Sequence, residues 1–133
     1  MALSVHGPVK VYDPHGYPEY EARNWRAMDP TQSHYDLGVS IYVLNTLIPP
    51  VRETVLKEVM DVCDVAVFAV RTDKIKSNDP WMDGVITRRN TFQTQKSPQA
   101  WSAWFSQHSP KNTSVKVLHK AGHYCILEVR KKG

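Results

Sequence analysis

The sequence is poor in cysteine, with only Cys63 and Cys125 among 133 residues. Two thiols cannot staple a small disulfide scaffold, and four-ligand zinc spacing is missing. Both lie in apolar surroundings, which suits buried free thiols. Glycine is also scarce, at six residues, and no G-x-G occurs anywhere, so a glycine-rich turn of that form is excluded. No run approaches the roughly 20 apolar residues that a spanning helix needs. The opening stretch, Met1 to Pro8, has no basic cluster followed by an apolar block, so no secretory signal is visible. A soluble, cytoplasmic protein without membrane contact is expected. No internal repeat or low-complexity tract is present.

What remains is ordinary globular composition, 41% hydrophobic and 23% charged. The length suits a single domain over 1–133, large enough to bury a core. The net charge of +4 permits a nucleic-acid partner without arguing for one.

Val9 to Asp13 alternates briefly and ends at Pro14, which reads as a short strand running into a loop. Glu19 to Met28 has the pattern of a short helix. Leu37 to Leu44 is a nearly continuous, β-branched run, the signature of a strand covered on both faces. Val51 to Val62 is the clearest helix. Val51, Val55, Val59 and Val62 form its apolar stripe, and Arg52, Glu53, Lys57, Glu58 and Asp61 take its wet side. Val65 to Val70 is a second apolar strand, which completes a βαβ unit with a parallel sheet.

Arg71 to Gly84 reads as a long functional loop, and Val85 to Gln93 as a short strand or ordered segment. Ser97-Pro98 is a strong helix start, followed by Trp101, Trp104, Phe105 and His108 at helical spacing. That spacing makes the aromatics core residues and not a stacking platform. Ser114 to Lys120 and His123 to Arg130 form a hairpin by pattern. His119, His123 and Cys125 fall on alternating faces of that hairpin and are broken by its turn, which argues against a metal site. The expected fold is α/β, a truncated Rossmann-like, mainly parallel sheet ending in a C-terminal antiparallel hairpin.

Tyr35 to Leu47, the Val51-Arg52-Glu53-Thr54-Val55-Leu56 helix, Val67 to Asp73, Asp83 to Gln93 and Ile126 to Lys131, in this order and spacing, resemble class I S-adenosylmethionine-dependent methyltransferases. The likeness is nearest to the small methyltransferase-like proteins of bacteria and their phages, and it runs from about Val9 to Lys132. Against that family, the first strand and its Gly-rich loop are missing. The resemblance makes Val9 to Asp13 the second strand, and it lays S-adenosylmethionine across the carboxyl ends of that strand and of Leu37 to Leu44. Asp13, Ser40 and Tyr42 become its contacts. Asp13 in that place accepts hydrogen bonds from a ribose diol, while an Asp before Pro also suits a plain turn. Asn45, just past a strand's carboxyl end, either orients the reacting groups as the catalytic residue or caps the loop before Pro49. Arg88, Arg89, Asn90 and Phe92 combine guanidinium forks, an amide and a ring, a set suited to binding substrate phosphate and base and equally common on solvated loops.

Three functions follow. The first is a methyltransferase-like protein that needs a partner chain for the missing strand and Gly-rich loop. The second is a non-catalytic protein-binding module on a degenerate methyltransferase scaffold. The third is nucleic-acid binding through Arg88 and Arg89 with the basic C-terminus. In either of the first two cases the bare strand edge should be covered by a second copy, another subunit, or the stretch from Pro14 to His34.

Overall fold

The β-branched run around Val39 does form a strand, and it sits at one side of a mixed sheet. The structure is a computed structural model and describes residues 34–133. The strand expected at Val9 to Asp13, Asp13 itself and the helix expected at Glu19 to Met28 lie outside the described residues.

Strand β1 (Tyr35–Ile41) leads through a 3-10 turn (Leu44–Thr46) into helix α1 (Pro49–Val62). Pro49 and Pro50 occupy the first helical positions, where an amide hydrogen would have no intrahelical partner. The helix passes directly into β2 (Cys63–Arg71). β1 and β2 pair in parallel, from Tyr35 opposite Cys63 to Ile41 opposite Ala69. The strand–helix–strand unit read from the sequence is therefore present.

Helix α2 (Pro98–His108) starts where Ser97 caps it, its hydroxyl accepting the Ala100 N–H at 3.1 Å. The chain ends in the expected hairpin, β6 (Thr113–Lys120) and β7 (Tyr124–Lys131). The sheet order is β1-β2-β7-β6. The β1–β2 pairing is parallel, but β2–β7 and β7–β6 are antiparallel. The expectation of a mainly parallel sheet is thus corrected. The described chain returns once by a helical crossover, and the hairpin docks its second strand straight onto β2.

Alternation then sorts the side chains. Ala66, Phe68, Val70, Cys125, Leu127 and Val129 are buried on the face that meets the helices. Phe68 lies 5.0 Å from Phe105 of α2, and Trp101, Trp104 and Phe105 are all buried as expected. Gly38 shares this face, because a Cβ there would meet Cys63 Sγ at 2.8 Å and Val59 of α1 at 3.5 Å. On the opposite face Leu37, Val39 and Ile41 stay 47%, 43% and 50% exposed. Their partners on β2, Val65, Val67 and Ala69, are half-buried. The continuous apolar run suggests cover on both faces, and the described residues supply it on one.

The two sheet edges also differ. β6 carries Lys116 and Lys120 and has a bulge between Val117 and His119. β1 has no lysine, no proline and an unbroken register.

The segment from Arg71 to Gln95 builds a second, small antiparallel sheet of β3 (Pro80–Trp81), β4 (Gly84–Ile86) and β5 (Phe92–Thr94). Glycine is required at position 84, where a Cβ would lie 2.2 Å from the Gln93 carbonyl oxygen. Among the described residues no helix is long and apolar enough to cross a membrane.

Candidate ligand site at the carboxyl end of the parallel strands

An arginine holds the two sheets together. Arg52 belongs to the first turn of α1, where the polar–apolar pattern puts it in water, yet it is 0% exposed. Its Nε donates to the Leu44 carbonyl at 3.2 Å and its Nη2 to the Leu47 carbonyl at 2.8 Å. Nη1 and Nη2 clasp the Asp83 carboxylate at 2.6 and 3.1 Å, and Nη2 also reaches the Thr94 hydroxyl. The guanidinium carbon lies 5.3 Å from the Trp101 ring and 5.6 Å from the Trp104 ring. Planarity lets one side chain do all of this, donating from all three nitrogens while stacking on aromatics. The placement of Arg52 on the wet face is therefore corrected, as is that of Val51, which is 44% exposed. Asp83 also meets Lys96 at 3.2 Å. Burial pushes the Asp83 carboxyl up, but the hydrogen bonds and charges of Arg52 and Lys96 outweigh it and hold the group below its ordinary value.

This clamp fixes the turn after β1, and with it Asn45, which is 1% exposed. Its Oδ1 accepts the Arg71 N–H at 3.4 Å, at the end of β2, and its Nδ2 donates to Gln93 Oε1 on β5 at 3.3 Å. One amide thus ties the carboxyl ends of β1 and β2 to the small sheet. The Gln93 Nε2 is buried and has no hydrogen-bond partner among the described residues. It is a desolvated donor beside Asn45, ready for an acceptor. Sequence reading missed Gln93 and the burial of Arg52. Neither has a signature of its own, because each is set by loops distant in the chain.

Around this core the rim is polar and aromatic. Tyr42, just beyond β1, has a left-handed backbone (φ 58°) and sits edge-on to Tyr124 at 6.3 Å. His119 tilts against the same Tyr124 at 5.8 Å. Arg71 and Asp73 pair at 2.6 and 3.0 Å, and this hydrogen bond lowers the Asp73 pKa and raises that of Arg71. The Arg71 carbonyl accepts the Trp101 Nε1–H at 3.2 Å, so α2 also braces the strand end.

The site residues read from the sequence therefore fall into separate groups. Asn45 and Tyr42 both lie at the carboxyl end of the parallel strands. Ser40, one residue before the end of β1, lies on its helix-facing side, on the same face as Gly38. Arg88, Arg89 and Asn90 form the exposed β4–β5 turn, and Phe92 follows on β5. Gln93 links that group to Asn45. The cluster of His34, Asp36 and Asp64 lies at the other end of the strands, with His34 Nε2 and Asp64 Oδ2 2.8 Å apart.

No family model matches this sequence, and no curated protein matches it. Among solved structures it is similar to the 1,6-didemethyltoxoflavin-N1-methyltransferase of Burkholderia thailandensis, solved with 1,6-didemethyltoxoflavin and S-adenosylhomocysteine bound. The match has a TM-score of 0.51 at 14% identity and covers 86% of this chain. The fold is thus methyltransferase-like. This chain spans about half of that protein, 52% of its length.

Proposed function

We propose that this chain is a methyltransferase domain that uses S-adenosylmethionine and carries the acceptor half of the site. One observation supports this most: a buried amide, Asn45, joins the carboxyl ends of two parallel strands beside the unpartnered donor Gln93 Nε2. Open α/β sheets bind their ligands at that end, and the fold matches a methyltransferase.

The residues present fit one side of such a site. Tyr42 offers a half-exposed ring at the strand end, and Gln93 offers a donor for a carbonyl or ring-nitrogen acceptor. They do not fit the methionine end of the cofactor, since the sequence has no G-x-G turn. In this reading Asp13 takes the ribose hydroxyls, and a partner chain pairs with the edge of β1 that the described strands leave open and supplies the Gly-rich loop. When bound, the cofactor supplies an electrophilic methyl group. The chain's own part is orientation: Asn45 holds the strand ends in register, Gln93 directs the acceptor, and Arg88, Arg89, Asn90 and Phe92 bind the remainder of the substrate. Methyl transfer to a good nucleophile needs little more than such alignment.

Calorimetric titration with S-adenosylhomocysteine tests this. Micromolar binding is expected, weakened about tenfold in Asp13→Ala and in Tyr42→Ala, roughly 1.4 kcal/mol each. No binding to a chain with a cooperative melt would refute cofactor binding by this chain alone and leave a partner-dependent site or the non-catalytic binding module.

A further inference from the structure

The segment that builds the small sheet carries exposed positive charge and an exposed aromatic ring. Between Arg71 and Lys96 the chain has no glutamate, and its three aspartates are Asp73, Asp79 and Asp83. Asp73 pairs with Arg71, and Asp83 is clasped by Arg52 and Lys96. That leaves Lys74, Lys76, Arg88 and Arg89 exposed without a carboxylate partner among the described residues, against the single exposed Asp79.

The fold fastens the lysine-bearing segment to the small sheet. The Ser77 hydroxyl donates to the Ile86 carbonyl at 2.5 Å, and Gln95 Nε2 donates to the Ile75 carbonyl at 3.1 Å. The two fastenings sit at Ile86 of β4 and at Gln95 just after β5. The Arg88-Arg89 turn is held rigid by Thr87 and Thr91, whose backbones bond at 2.8 Å and whose hydroxyls lie 2.7 Å apart. Asn90 accommodates the left-handed backbone that the turn requires (φ 61°).

Trp81 is the second feature. It stays 46% exposed, though an indole is costly to leave in water, and it is propped edge-on against Phe92 at 6.0 Å. An exposed, braced indole shares the small sheet with two arginines, and two lysines lie in the segment fastened to it. This set matches what single strands require, stacking for bases and cations for phosphates. A protein partner would call for a larger apolar patch, and a membrane surface for a helix with an apolar face.

We infer that the β3–β4–β5 sheet is a contact surface for single-stranded nucleic acid, with Trp81 as the stacking residue and Lys74, Lys76, Arg88 and Arg89 as phosphate contacts. The surface shares Arg88 and Arg89 with the substrate side of the proposed function and so names the class of that substrate. Binding measured without cofactor tests it apart from the cofactor reading.

The test is fluorescence anisotropy of labelled 15-nucleotide single-stranded RNA, single-stranded DNA and the matching duplex, from 50 to 300 mM salt. Either single strand should bind about tenfold or more tighter than the duplex. With four phosphate contacts, the slope of log K against log salt should be about −2.8. The double variant Arg88→Ala, Arg89→Ala should flatten it by about 1.4. Trp81→Ala should weaken binding about tenfold at an unchanged slope, and Trp81→Phe should restore most of it. Equal affinity for duplex and single strand, wild-type binding by a folded Trp81→Ala, or no binding at 50 mM salt would each overturn the inference.

Discussion

Replacing Arg52 with alanine should come close to unfolding the protein. The substitution strips donors from the Leu47 carbonyl, the Thr94 hydroxyl and the Asp83 carboxylate, and it removes a cation stacked on two indoles. Each orphaned group costs about 1–3 kcal/mol, but the terms do not add, because water enters and Asp83 keeps Lys96 at 3.2 Å. Breaking a buried pair from one side costs about 3–5 kcal/mol, and we expect about 4. Domains of this size are stable by about 5–15 kcal/mol, so little would remain. Urea unfolding followed by tryptophan fluorescence reads the loss. A second variant separates charge from packing: Arg52→Met with Asp83→Asn removes both ions and should recover at least half of the deficit. A loss below about 1 kcal/mol in Arg52→Ala, or a double variant no better than the single, would refute the clamp argument.

Further outcomes follow from the same geometry. Because Asp83 titrates below its ordinary range, its contribution is complete above about pH 4 and is lost as pH falls through the folded value. Acid unfolding of the wild type should therefore be steeper than that of Asp83→Asn. Gly84→Ala forces a Cβ against the Gln93 and Thr94 backbone, so about 2 kcal/mol should be lost, a fall of roughly 10 °C in thermal midpoint. Burial pushes the Cys63 thiol up to about 11, and Cys125 is raised for the same reason. Both should resist iodoacetamide at pH 8 and label rapidly in denaturant, which mass spectrometry would show. Ser97→Ala should cost about 1 kcal/mol by chemical denaturation, through loss of the α2 cap.

Much of the scaffold could be read from local pattern. The apolar runs at Val39 and Val67 announced strands, the stripe through Val59 a helix, and Ser97-Pro98 a helix start, because these signals are periodic or nearest-neighbour in origin. The order of pairing was not legible. Whether β7 lies beside β2 depends on contacts some 60 residues apart along the chain, about which period-two alternation says nothing. The site divides in the same way. Asn45 was visible from its place past a strand end. Arg52 was assigned to water, because a polar residue in a helix reads as exposed unless its carbonyl partners and Asp83 are already known to be near. Gln93 gave no signal as a site residue, since the partner that marks it, Asn45, comes from the turn after β1.

The unlike edges of the main sheet set how far association can go. β6 carries lysines and a bulge, which repel and misalign an incoming strand, whereas β1 has neither. With one receptive margin per molecule among the described residues, pairing that begins at β1 has no second margin from which to continue. Two copies joined there would have only the lysine-bearing strands outermost. Growth by that route is self-terminating, and the arrangement separates a finite complex from a fibre.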